Sequence, residues 1–331
     1  MFDSFWFLVL IIFLSVAFDF VNGWTDACNS IATVVSTRVL SPQTAVLMAA
    51  IFNLIGAFSG TAVAVTIGKG LVAHEYVNLL TLATALVSVV IWSSVATVFG
   101  LPTSESHGLM SGLAGAGIAT AGTKVLIWAG WRKVFLGLVL APIIGFVIGL
   151  LTMTLLLWVF RRARPGAVTG IFKKVQIVSA AFMAFSHGSN DAQKTMGIIT
   201  MALAIHFHWS SFNVPVWVIL LSATTMGLGT MFGGWRVIRT MGMKITKLQP
   251  IHGFAAETSA ALVITAASRI GMPLSTTHVI ASGIMGVGAT RKLSAVKWGV
   301  AGNIILAWIL TFPICGSIGW LLTMIIKQFT R

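Results

Sequence analysis

Leu101-Pro-Thr-Ser-Glu-Ser-His-Gly108 is echoed, without a gap, by Met272-Pro-Leu-Ser-Thr-Thr-His-Val279. Pro102 falls on Pro273, Ser104 on Ser275, Ser106 on Thr277 and His107 on His278, all at an offset of 171 positions. Each copy follows an apolar run of helix length. Each opens another that is rich in glycine (Gly108, Gly112, Gly115 and Gly117; Gly283, Gly286 and Gly288). Proline stops a helix, and the hydroxyl residues behind it suit the start of a new one. The spacing therefore predicts two broken helices in apolar surroundings, each presenting free N–H groups and the positive end of its dipole. Such an end is an anion site. Thr103, Ser104, Ser106, Ser275, Thr276 and Thr277 are the expected hydroxyl donors to the anion, and His107 and His278 the expected hydrogen-bonding supports of the two hairpins. Ser and Thr in apolar helices also bond back onto their own backbone, but the proline beside these favours the anion.

The rest of the chain is as apolar as those surroundings. Of its 331 residues 57% are hydrophobic and only 8% charged, with a mean hydropathy of +0.97. A soluble domain carries about a quarter charged residues. Apolar runs recur from end to end and predict an all-α polytopic membrane protein with about ten to twelve membrane segments, including two re-entrant hairpins. Lys and Arg number 21 against 7 Asp and Glu, a net charge of +14. This excess reads as cytoplasmic-loop charge, with attraction of an anionic substrate as a further effect. The basic residues are scattered and form no stripe, which excludes nucleic-acid binding. Cys28 and Cys315 are the only cysteines, so neither a disulfide framework nor a zinc site is implied. The apolar start, Phe5–Phe18, lacks a basic leader and a small-residue cleavage site and reads as a first spanning helix.

A second echo extends the duplication. Ser186-His-Gly-Ser-Asn-Asp-Ala-Gln-Lys-Thr195 aligns with the stretch from Val21 to Ser30, placing Gly188 on Gly23 and Asp191 on Asp26 at an offset of 165. Gly227 falls on Gly56 and Pro313 on Pro142 at 171. The expected organisation is a first repeat over 1–160, a linker over 161–174 with five basic residues and no acid, and a second repeat over 175–331. The positive-inside rule puts the linker in the cytoplasm. No Lys or Arg precedes Arg38, which puts the N-terminus outside. Each repeat then crosses an odd number of times and the second is inverted, as in many secondary transporters, whose substrate and ion sites lie at broken helices near the midplane. Expected helices in the first repeat include Phe5–Phe20, one unbroken span from Pro42 to Ile67, and Val134–Phe160 kinked at Pro142.

Of the seven acids, Asp3 and Glu75 fall at a terminus and a loop. Asp19, Asp26, Glu105, Asp191 and Glu257 fall inside apolar stretches or at the breaks. Ionisable groups there are expensive and functional by default. Asp26 and Asp191 are usable as helix caps. Their repeat-related positions beside Asn29 and Asn190 favour instead a coupling cation, Na⁺ or a transferable proton, held by hard oxygen ligands. Glu257 is a further candidate for that role. Glu105 breaks the repeat, since its mate is Thr276, and Asp19 reads equally as a cap or a functional acid. Lys194, in mid-run, needs a partner, either Asp26 or Asp191 or the anion itself. His187 and Asp191 at i,i+4 make only a two-ligand metal pair. No nucleophile motif accompanies them, so the chain is not read as an enzyme.

At Gly188-Ser-Asn-Asp-Ala-Gln-Lys-Thr-Met-Gly197, the Asp19–Ser30 stretch and both proline–hydroxyl–histidine hairpins, the chain resembles the inorganic phosphate transporter (PiT) family. The resemblance spans almost the whole chain. It departs from the family pattern Gly-Ala-Asn-Asp-x-Ala-Asn at Trp24-Thr25, at Cys28, and at Lys194, which stands where an Asn belongs. It implies a homodimeric, inverted-repeat symporter of the cell membrane that imports inorganic phosphate with Na⁺ or H⁺ and binds no cofactor. The implied phosphate site, between the hairpins, is Thr103, Ser104, Ser106, Ser275, Thr276, Thr277, Asn29, Asn190 and Lys194. The implied cation site is Asp26, Asp191, Asn29, Asn190 and Glu257, with Asp26 and Asp191 as metal ligands if the ion is Na⁺. The departures bear on the coupling ion, since Na⁺-, H⁺- and metal-phosphate-coupled members exist. The rival readings are a sulfate permease of the same fold and an uncoupled anion channel, whose permeant anions the aspartates would repel.

Overall fold

In the structure, a computed structural model, residues 4–329 are described. Asp3 and Arg331 lie outside them. The described residues form helices and connecting turns, with one isolated bridge, Val72–Leu126, as their β pairing. Twelve helices follow in order: α1 Phe5–Ser36, α2 Pro42–Ala57, α3 Ala62–Gly70, α4 Leu79–Val98, α5 Glu105–Ala121, α6 Trp128–Val159, α7 Pro165–His206, α8 Val216–Phe232, α9 Trp235–Arg239, α10 Pro250–Arg269, α11 Thr276–Ala289 and α12 Trp298–Phe329. Among the described residues α1, α4, α6, α7 and α12 are long and apolar enough to cross a membrane. The pair α2–α3, bent by 69°, and the pair made of α8 with Trp235–Lys244, bent by 65°, bring the number to seven if each is one span.

The two breaks predicted at Pro102 and Pro273 are present and are built alike. Gly100 and Gly271 end α4 and α10 in the left-handed region, at φ 70° and 68°, where a side chain is strained. The residue after each glycine reaches back across the last turn, Leu101 N to Ala96 O and Met272 N to Ala267 O, both at 2.9 Å, which closes the helix end. Ser104 and Ser275 then cap α5 and α11, accepting from the backbone N–H of His107 at 3.3 Å and of His278 at 3.2 Å.

The two halves exchange partners. Hairpin helix α5 packs on α4 of its own half and on α12 of the other, and α11 packs on α10 and on α6. Small residues set these seams. A Cβ added to Gly115 would lie 2.0 Å from the Gly316 carbonyl oxygen, and one on Gly286 would lie 2.1 Å from that of Phe146. The same exchange links α1 to α8 and α7 to α2. Gly56 abuts the Phe185 carbonyl and Gly229 abuts that of Phe20. Gly229, not Gly227, is therefore the packing counterpart of Gly56.

Three expectations about boundaries change. The first helix does not end near Phe20. It runs on through the polar motif to Ser36, with Ser15, Asp19, Asn22, Asp26, Asn29 and Thr33 on one buried face. That face repeats every three or four residues, which is helix periodicity, so the polar motif sits mid-helix and caps nothing. The span from Pro42 to Ile67 is broken between Ala57 and Ala62. The basic linker is a turn only as far as Arg164, because Pro165 occupies the first turn of α7, where its missing N–H costs nothing.

Two apolar clusters form the interior. One gathers α3, α4 and α5 with Leu8, Ile11 and Phe18 of α1 and the C-terminal part of α7. The other gathers α10 and α11 with Cys28–Val34 of α1 and Ala180–Ala184 of α7. Helices α1 and α7 pass through both. Their polar motifs, from Asp19 to Asp26 and from Ser186 to Asp191, lie where one cluster gives way to the other.

Candidate functional site

The polar motifs of α1 and α7 face the tips of both hairpins. Asn29 is fully buried, and its amide nitrogen donates to Thr276 Oγ1 at 3.2 Å and to Thr277 Oγ1 at 3.0 Å. Thr277 Oγ1 donates to Asp26 Oδ1 at 3.1 Å, and Thr276 Oγ1 to Asp191 Oδ2 at 3.4 Å. The N-terminus of α11 is thus pinned to both helices by two hydroxyls. The tip of α5 is held differently. Thr25 Oγ1 donates to Glu105 Oε1 at 2.8 Å, and Ser93 donates to the other carboxylate oxygen.

The tips also touch each other. Ser106 Oγ donates to the Leu274 carbonyl at 2.9 Å. The His107 and His278 rings meet edge to face with centroids 4.7 Å apart. His278 stacks on Trp308 at 3.9 Å, and Trp308 Nε1 donates to Pro102 O at 3.0 Å. Both hairpin histidines therefore support the tips by ring packing, while their ring nitrogens have no hydrogen-bond partner. That corrects the expectation of hydrogen-bonding support. Ser104 and Ser275 are caps, but a cap spends only the oxygen lone pair, so each hydroxyl proton stays free to meet an anion. Thr103 is buried beside them.

Acids outnumber bases in this interior. Asp19, Asp26, Glu105 and Asp191 are all at most 3% exposed, and Lys194 is the one buried Lys or Arg among the described residues. Lys194 was expected on the anion or on an aspartate. It lies on Asp191, with Nζ 2.6 Å from Oδ2. His187 Nε2 lies 3.5 Å from the same oxygen and 4.0 Å from Asp26 Oδ2. Ligand atoms of Asp26, His187 and Asp191 lie within 4.8 Å of one another, one member more than the sequence pair His187–Asp191 offered. Asn190 contacts Ser268 Oγ at 2.9 Å, and its amide nitrogen, turned inward, reaches Leu274 O and Asp191 Oδ1 at 3.2 Å.

Glu257 is not brought into this cluster. It accepts from Thr33 Oγ1 at 2.5 Å, from Gln176 Nε2 at 3.1 Å and from Ser179. Its carboxyl group is held by neutral donors and pairs with no Lys or Arg among the described residues. The Asp19 carboxyl lies beside the Thr195 side chain, and neither amide atom of Asn22 has a hydrogen-bond partner. The sequence reading missed Asn53. Its Oδ1 lies 3.1 Å from His187 Nδ1 and its amide nitrogen donates to Thr230 at 3.0 Å. An amide in the middle of an apolar run was the available signal. Asn22 was passed over in the same way.

Comparisons with known proteins agree with this geometry. A family model described as the phosphate transporter family matches residues 22–319. A probable low-affinity inorganic phosphate transporter of Rhizobium meliloti (strain 1021) is 48% identical over 92% of both chains. One of Bacillus subtilis (strain 168) is 42% identical over 94% of both. A solved structure titled the sodium-dependent phosphate transporter superposes with a TM-score of 0.91 at 26% identity, covering 97% of this chain and 99% of that one.

Proposed function

The chain belongs to the phosphate transporter family of multi-pass membrane proteins, not to an enzyme family, and on that premise we propose that it imports phosphate together with a cation by alternating access. The observation that carries the proposal is the meeting of two helix N-termini, α5 and α11, against a buried cluster of four acids and one lysine. The N-termini and the hydroxyls of Thr103, Ser104, Ser106, Ser275, Thr276 and Thr277 suit an anion. The acids do not. A phosphate brought beside four buried carboxylates meets repulsion that the low-dielectric interior barely screens. Positive charge must therefore enter with it, and this is the physical content of coupling. In this reading Asp26 and Asp191, with Asn29 and Asn190, hold the cation, and Glu257 is a further acid awaiting one.

Thr276 and Thr277 tie the two sites together, because the hydroxyls that would turn toward phosphate are those that now satisfy Asp191 and Asp26. A cation on the aspartates frees these hydroxyls for the anion, so each ligand favours the other. The exchanged packing of α5 on α12 and α11 on α6 supports an inverted repeat, with the two halves rocking about the site. The reading further places the protein in the cell membrane as a homodimer, with its N-terminus outside and residues 161–174 in the cytoplasm. Uptake of labelled phosphate into proteoliposomes, with Na⁺ and pH gradients imposed separately, tests it. Uptake that needs neither gradient and passes current would favour a channel.

A further inference from the structure

The inference here rests on the phosphate-with-cation reading and concerns which cation is needed. We propose that the ammonium of Lys194 is a tethered replacement for one coupling cation, so that this chain carries phosphate without Na⁺ at Asp191.

The place it takes is recognisably one for a cation. Asp26 Oδ2, Asp191 Oδ2 and His187 Nε2 converge there. Asn53 Oδ1, 3.1 Å from His187 Nδ1, accepts that proton. Its own amide nitrogen is turned away to Thr230. The neutral imidazole then points its Nε2 lone pair toward the carboxylates. Orientation of a ligand histidine by a carbonyl on its other nitrogen is the usual support of a metal site. Two acids and a lone pair in a dry interior call for a cation or a proton between them. Lys194 brings one to the Asp191 side of that place, fully buried, one turn along α7 from Asp191 and 2.6 Å from its Oδ2. A lysine near a helix end extends its amine to water. This one, in the middle of the 42-residue helix α7, stays inside.

An ammonium at that distance occupies the oxygen a Na⁺ would need, and two like charges so close repel strongly at low dielectric. The other half of the molecule shows the alternative. The repeat mate of Lys194, at the offset of 165, is Asn29, a neutral amide. A chain with an amide at both positions would present an open oxygen site. A chain with Lys194 carries its own cation. Asp19, which faces both Asp191 and Lys194, is a second acid on the same side of the ammonium.

The test compares wild type, Lys194→Asn and Lys194→Arg in proteoliposomes taking up labelled phosphate, in sodium medium and in choline medium, under the same pH gradient. Wild type and Lys194→Arg are expected to run equally in both media. Lys194→Asn is expected to be slow in choline and to be stimulated by Na⁺ by about tenfold or more, within the usual range of coupling between two ligands. Purified Lys194→Asn should also retain one more ²²Na⁺ per chain than wild type. A Na⁺ requirement in wild type overturns the proposal whatever the variants do. So does a folded Lys194→Asn that is equally active in both media, or inactive in both. Absence of phosphate uptake by wild type under every gradient would instead refute the transport reading, leaving ²²Na⁺ retention to judge Lys194.

Discussion

Replacement of Asn29 by alanine removes one side chain that serves two. Its amide donates to Thr276 and Thr277 at 3.2 and 3.0 Å from a fully buried position. The two hydroxyls keep their carboxylate acceptors, so the variant leaves no buried charge stranded and should fold. What disappears is the clamp that orients them. Two neutral hydrogen bonds at a net value of about 1 kcal/mol each give about 2 kcal/mol. If that order is what the anion exploits, the phosphate concentration for half-maximal uptake rises by about thirtyfold. Asn29→Asp is of the same size but sets a third carboxylate beside Asp26 and Asp191, and it should abolish measurable uptake. The assay is the concentration dependence of labelled phosphate uptake, with size-exclusion chromatography to verify folding. A folded Asn29→Ala with a half-saturation within about threefold of wild type, inside the error of such hydrogen-bond values, would refute the reasoning.

The seams and the isolated acid give further tests. Gly115→Ala and Gly286→Ala place a Cβ about 2 Å from backbone oxygens of α12 and α6, whereas Gly302→Ala meets nothing within 4 Å. The first two should lower the melting temperature by about 5 °C, from an overpacking cost of 1–3 kcal/mol, and the third should leave it unchanged, as read by thermal-shift chromatography. Glu257→Ala strands the donors Thr33 and Gln176, while Ser179 keeps the Gln176 carbonyl, and should cost about 3 kcal/mol of stability. Glu257→Gln keeps partners for all three and should melt like wild type, yet slow uptake about tenfold if the charge takes part in coupling.

The hairpins were legible because their signal is local. A proline and the capping serine behind it each act within one turn, while Gly100 and Gly271, whose left-handed values end the preceding helices, had no part in the reading. The duplication also made Asp26 and Asp191 visible as a pair. The helix boundaries were not legible in the same way. Asp19, Asn22, Asp26 and Asn29 look like the end of an apolar run, because a linear reading registers polarity and not the face it falls on. Only packing shows that all four occupy one buried stripe of a continuous helix. Ser59-Gly60 inside Ala57–Ala62 is a turn signal, but the apolar run on either side of it masked the bend between α2 and α3. Lys194 was legible as a buried base in want of a partner. Which of the candidates it met depended on the rotation of α7 about its axis, which no spacing reports. Asn53 and Glu257 illustrate the same limit, since their partners lie 78 to 224 positions away in the sequence.

The central claim is that phosphate enters between the two hairpin tips. Ser106 Oγ lies 2.9 Å from the Leu274 carbonyl, and the native thiols Cys28 and Cys315 are buried, so a single Ser106→Cys thiol reports on that gap with little background. The decisive measurement is the rate at which this thiol is modified by a small methanethiosulfonate reagent, with and without saturating phosphate, followed by uptake before and after reduction. The account predicts modification that phosphate slows, and uptake that is lost in the modified protein and restored by reductant. Modification that phosphate leaves untouched, in a protein that still transports, would contradict it.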